Sequence, residues 1–221
     1  MTDAADIARW IQDLADSDER VKIESAMRLY FAGVSLCTPL LSLWVSDPEF
    51  RELTLPSNPS KSSAVGAGPA PARPGPANDE LHSHLAASSI VVGVAVQPET
   101  FQKIRASNHS PRLAQVPPDQ DAMEFELHLD ASLEFDILTT REPGGPGAIS
   151  RYLQKFGEGI QQIEIYVCDV DRATEILRTR FALAPVYPTT RAGADDTRVN
   201  FFLTTTPDAK KVLIELVEAA R

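Results

Sequence analysis

Two hydrophobic periods divide the chain. Up to about Leu55, apolar residues recur three and four positions apart. Ile7, Trp10, Ile11 and Leu14 form one stripe, Val21, Ile23, Ala26, Met27 and Tyr30 a second, and Leu36, Leu40, Leu41, Leu43 and Trp44 a third. That spacing turns one face of a helix toward a core. Gly33 is placed to end a helix, and Asp47-Pro48 to turn the chain. The run Leu14 to Val21 resembles the start of a HEAT-type repeat. One helix pair has no neighbour to stack on, so a short helical bundle packed on the rest of the chain, or on a partner, is the simpler reading. From Ser88 onward the period shortens to two. Ile90 to Val96, Met123 to Leu129, Leu133 to Thr139, Ile160 to Val167, Val199 to Leu203 and Val212 to Val217 read as strands, with a short extended piece near Pro185 to Tyr187. Pro98 opens a helix that buries Phe101 and Ile104. Asp169 or Asp171 caps another, with Ala173, Ile176, Leu177 and Phe181 facing inward.

Residues 88–140 and 157–218 therefore repeat one order: strand, helix, then a meander of about three strands. The hinge Arg141 to Gly147 and a short helix, Ala148 to Phe156, join them. The expected organisation is a helical region over 1–55, a linker over 56–87, and an α+β domain of two modules over 88–221. The linker is rich in Pro, Ala, Gly and Ser, and buries too little to fold by itself. His82 and His84 lie in it without a third ligand nearby, which favours solvated side chains over a metal site.

Composition narrows the function classes. Net charge is -10 over 221 residues, and an acidic surface repels phosphate backbones, so nucleic acid is not an expected partner. The two cysteines, Cys37 and Cys168, fall in different regions and suggest no disulfide framework, which fits a reducing cytoplasm. The acidic start does not have the shape of a signal peptide. The most apolar run, Gly33 to Val45, is short for a bilayer and contains Pro39, so no membrane partner is expected. No glycine-rich phosphate loop, Cys-x-x-Cys pair or Gly-x-Ser-x-Gly elbow occurs.

Three segments carry a family likeness: Pro146 to Ile160, containing Phe156-Gly157-Glu158-Gly159-Ile160; Val167 to Arg180; and the closing run Lys211 to Glu218. In this order they resemble the vicinal oxygen chelate superfamily, in particular methylmalonyl-CoA epimerase. The resemblance covers about Ser88 to Glu218. It implies paired βαβββ modules, the glyoxalase/bleomycin-resistance/dioxygenase-like fold, curled into a cup that holds a divalent metal through two ligands from each module. Residue by residue, it places the metal ligands at Val91 and Asp136 in the first module and at Gln162 and Glu215 in the second. Histidine would be expected at 91 and at 162. Valine has no donor atom. Asp136, Gln162 and Glu215 together suit a weakly held hard cation such as Mg²⁺ or Ca²⁺ better than Zn²⁺, Ni²⁺ or Co²⁺. The resemblance also assigns proton transfer beside a thioester carbonyl to two carboxylates, here Glu215 and, near the turn before the second strand, Asp119.

Strand alternation puts Leu213, Glu215 and Val217 on the cup side, together with Glu124, Glu126, Glu134, Glu164 and Tyr166. Asn200 and Phe202 are expected there as well. His128 alternates onto the same side, either as a replacement imidazole or as a solvated surface residue. Three functions follow. One is binding of a small molecule or partner in the cup, with metal catalysis lost or altered. Another is a metal-dependent epimerase, isomerase or lyase acting on an acyl-CoA or similar thioester. The third is an adaptor that docks through its helical region, with Trp10, Tyr30 and Trp44 as anchors. A homodimer is compatible with all three.

Overall fold

The computed structural model describes residues 3–54, 90–130, 133–205 and 211–219. The expected linker, 56–87, with His82 and His84, lies outside the described residues.

Three helices precede the sheet: α1 (Ala4–Asp13), α2 (Glu19–Trp44) and α3 (Pro48–Leu53). Aspartates start all three. Asp3 accepts from Ala5 N, Asp18 from Arg20 N, and Asp47 from Glu49 N and Phe50 N, each satisfying a backbone donor that the helix leaves unpaired. Gly33 does not end a helix, contrary to expectation, and α2 runs on through both Gly33 and Pro39 for 26 residues. The physical reason is packing. A Cβ on Gly33 would stand 2.8 and 2.9 Å from the two methyls of Val92, so the glycine serves close approach to the sheet. Pro39 removes one helical hydrogen bond, and burial of Cys37 and Leu41 on the flanking turns holds the helix through it. As one helix, α2 is long and apolar enough to cross a bilayer. Here its line of Ala26, Leu29, Cys37, Leu41 and Trp44 is buried in the same core as the sheet.

The seven strands are β1 (Ile90–Ala95), β2 (Met123–Asp130), β3 (Leu133–Thr139), β4 (Gly159–Tyr166), β5 (Arg191–Ala192), β6 (Arg198–Thr205) and β7 (Lys211–Glu218). The remaining helices are α4 (Pro98–Ser107), α5 (Ala148–Phe156) and α6 (Val170–Arg180). One mixed sheet has the order β2-β3-β1-β4-β7-β6-β5. The modules repeat each other within it. β1 pairs parallel with β3, which pairs antiparallel with β2; β4 pairs parallel with β7, which pairs antiparallel with β6. The modules meet where β1 and β4 pair antiparallel. The segment after α4 bonds to β2 through Ala114 N and Glu124 O, 3.0 Å, in the place that β5 takes beside β6.

Strand alternation separates two faces. Val92, Val94, Phe125, Phe135, Ile163 and Ile214 point to the helices and are fully buried. Asp169 caps α6 by accepting from Arg172 N. Asn200 and Phe202 belong to this helix-facing side, not to the cup as expected: Phe202 is wholly buried in the core, and Asn200 donates to Thr174 on α6 at 3.5 Å. The register shows why. Phe202 pairs with Ile214 and Phe201 with Glu215, so the cup-facing residue of β6 is one position off the expected phase.

Candidate functional site

The other face of the sheet encloses a cavity of about 650 Å³. Helix α5 closes one end of it. Its Ile149 and Leu153 pack on Ala95 and Leu138, and Tyr152 donates to Ile160 O at 2.8 Å. The mouth is bridged by polar contacts between the modules. Arg112 and Gln115 N both bond the Asp195 carboxylate, Asp195 N bonds Gln115 O, and Gln120 donates to Ala192 O.

Cross-strand register arranges the cup face of the sheet in two rows, from the rim at β2 to the floor on β3, β1, β4 and β7. Glu126, Asp136, Gly93, Gln162 and Leu213 follow one another across β2, β3, β1, β4 and β7. In the next row, His128 opposes Glu134, Val91 opposes Glu164, and Glu164 opposes Glu215. Gly93 makes the centre roomy: a Cβ there would collide with Cγ of Gln162. The Gln162 amide nitrogen donates to Glu215 Oε2 at 2.6 Å and to Glu164 Oε1 at 3.1 Å. Asp136 bonds Glu164 in turn. Two carboxyls share such a bond only through a proton held between them.

Burial dominates the electrostatics. Asp136, Glu164 and Glu215 are less than a tenth exposed. Desolvation, reinforced by the neighbouring carboxylates, holds Asp136 and Glu215 well above the usual carboxylate range. Glu124 is pushed up to about 8, first by desolvation and then by the Glu164 charge. Glu164 is pushed up to about 7 by desolvation, although the bonds from Gln162 and Asp136 pull the other way. Burial and the same carboxylates raise the Tyr166 phenol. The floor is thus a set of acids that share protons near neutral pH.

The expected site residues are partly brought together. Gln162 and Glu215 are in direct contact, and Asp136 joins them through Glu164. Val91 lines the same cavity. Asp119 stands at the rim, three-fifths exposed and paired with Arg191 at 2.5 Å. Glu164 has a larger part than its sequence position suggested. Its signal is the alternation Gln162-Ile163-Glu164, which puts amide and carboxylate on one face.

This donor set does not fit a transition metal. It has no imidazole, Gln162 turns its nitrogen and not its carbonyl toward the carboxylates, and Val91 fills a fourth place with methyls. Among the described residues, the trio of His, Cys, Asp or Glu whose ligand atoms gather within 4.8 Å is Glu126, His128 and Glu134, away from the floor's centre.

No family model matches the chain, and no curated protein matches it significantly. Solved structures do. Methylmalonyl-CoA epimerase from Mycobacterium tuberculosis is 30% identical, with 59% of this chain and 86% of that chain covered and a TM-score of 0.48. The chain belongs to the vicinal oxygen chelate superfamily. A Streptomyces coelicolor methylmalonyl-CoA epimerase variant in complex with 2-nitronate-propionyl-CoA is 22% identical, covering 60% of this chain and 100% of that one, with a TM-score of 0.47. Another methylmalonyl-CoA epimerase, in complex with methylmalonyl-CoA and NH4+, is 24% identical, covering 58% and 92%, with a TM-score of 0.46. The superfamily's paired modules are the ones that meet here at β1 and β4.

Proposed function

We propose that this superfamily member binds in its cup a small molecule whose floor-facing group is uncharged or cationic, with no metal on the cup floor. The observation that carries this reading is the Gln162 amide, which is bonded to both Glu164 and Glu215 where the family resemblance places a metal ligand. A floor stabilised by shared protons has its acids occupied with one another. It also repels a carboxylate on the ligand: two like charges at about 4 Å interact by roughly 4 kcal/mol at an effective dielectric of 20. The relatives' acyl-CoA complexes make a short acyl-CoA the first ligand to try. Calorimetry on chelator-treated protein at pH 8 tests the reading. Propionyl-CoA is expected to bind at least about tenfold more tightly than methylmalonyl-CoA, a difference of about 1.4 kcal/mol, and the cup-filling Leu213→Trp substitution should abolish that binding. Preference for methylmalonyl-CoA, or binding only after a divalent metal is restored, would sink it.

A second reading draws on Glu164 and Glu124, which titrate at about 7 and about 8 beside the same cavity. Carboxyls poised near neutral pH suit proton transfer. Deuterium incorporation at the α-carbon of propionyl-CoA in D₂O, lost in Glu164→Gln, would establish it. Absence of exchange in the native protein leaves binding alone.

A further inference from the structure

We infer that Glu126, His128 and Glu134 form a divalent-cation site at the rim of the cup, independent of the floor. The β2–β3 hairpin builds it. His128 opposes Glu134 directly, and Glu126 lies two residues before His128 on the same face of β2. The imidazole is held between two carboxylates, with Nε2 3.1 Å from Glu126 Oε2 and Nδ1 3.2 Å from Glu134 Oε1. One ligand atom from each of the three residues falls within 4.8 Å of the others, so small side-chain rotations close them around one ion. The two glutamates also line the cavity, so coordination positions not filled by protein open toward the ligand space.

The chemistry selects the ion. One imidazole nitrogen and two carboxylate oxygens suit a borderline ion such as Zn²⁺ or Co²⁺, with water completing the shell. The floor offers only oxygens and an amide, which is why the rim and not the floor is the place for such an ion. The surroundings favour a cation too: Glu126 and Glu134 both press on Glu164, and Glu126 on Glu124, so added positive charge at the rim relieves repulsion across the face. Without an ion, the His128 ring bridges its two glutamates, and an ion would draw on the same imidazole and carboxylates.

The test is a Co²⁺ titration of the full chain at pH 7.5, read by visible absorption and confirmed by Zn²⁺ competition. One equivalent is expected to bind. His128→Asn and Glu134→Gln should each weaken it at least about tenfold, the scale reached even by residues that only support a metal site. Both side chains are partly exposed, and circular dichroism checks that the variants fold. A His82→Ala/His84→Ala double variant and Glu215→Gln should bind Co²⁺ as the native protein does. No saturable binding by the native protein, or binding retained in His128→Asn, overturns the proposal. So does binding lost in the double variant, or binding lost in Glu215→Gln; the last result also moves the metal to the floor and overturns the proposed function, whereas the others leave that reading standing.

Discussion

At the scale of residues, the cup floor trades stability for acidity. Glu124 and Glu164 have an ordinary value of 4.5 and are raised to about 8 and about 7 in the fold. Between those limits the folded protein holds more protons than the unfolded chain, so stability falls as pH rises through the window and levels off above it. Each group contributes up to about 1.4 kcal/mol per pH unit. The carboxylates held low by their partners, Asp171 by the Thr190 hydroxyl and then Arg198, and Asp195 by Arg112, titrate below this window and do not cancel the trend. Thermal melts should therefore give a higher midpoint at pH 5.5 than at pH 8.5, and Glu164→Gln should reduce the gap. A higher midpoint at pH 8.5 would show that the floor acids are ionised without penalty.

At the scale of elements, sequence periodicity located nearly every strand and helix, because each buries one face against a shared core. The strands of the second module and the Asp169 cap were legible for this reason. What escaped depended on contacts between elements. Gly33 resembles a helix stop in a local window, yet its role is to bring α2 against Val92. The phase of β6 is fixed by its register with β7, and a single strand does not contain that register. The site divided in the same way. Asp136, Gln162 and Glu215 could be placed by family likeness, but the Glu164 bridge arises only when β3, β1, β4 and β7 lie side by side, and the rim trio only when β2 pairs with β3. Gly33→Leu tests the close approach of α2. It adds a bulky side chain where even a Cβ would stand 2.8 Å from Val92, so overpacking should cost on the order of 1–3 kcal/mol, measured by urea unfolding. Gly→Ala in an exposed helix gains about 1 kcal/mol from propensity; a net gain in Gly33→Leu would mean that α2 does not sit against the sheet.

At the scale of the whole molecule, the helical region and the paired modules share one core. Cys168 N bonds Leu53 O at 2.9 Å, and Thr54 bridges to Val167, so α3 is stitched to the end of β4. The ion pairs of Asp47 and Glu49 with Arg172 and Arg180 fasten the same corner, although exposed pairs of this kind contribute little individually. This packing accounts for Trp44, which is buried against Phe50 with ring centroids 6.0 Å apart and so is no free anchor for a partner. The helices thus back the sheet and leave its other face to the cup. The most direct test of the hydrogen-bonded floor is a ¹³C NMR titration of the Glu164 side-chain carboxyl with one equivalent of Zn²⁺ present. A midpoint of about 7 without the ion, lowered only modestly when the ion neutralises Glu126 and Glu134 at the rim, is the result expected of acids joined through the Gln162 amide. A carboxylate that stays ionised down to acidic pH once Zn²⁺ is added would place the metal on the floor and contradict it.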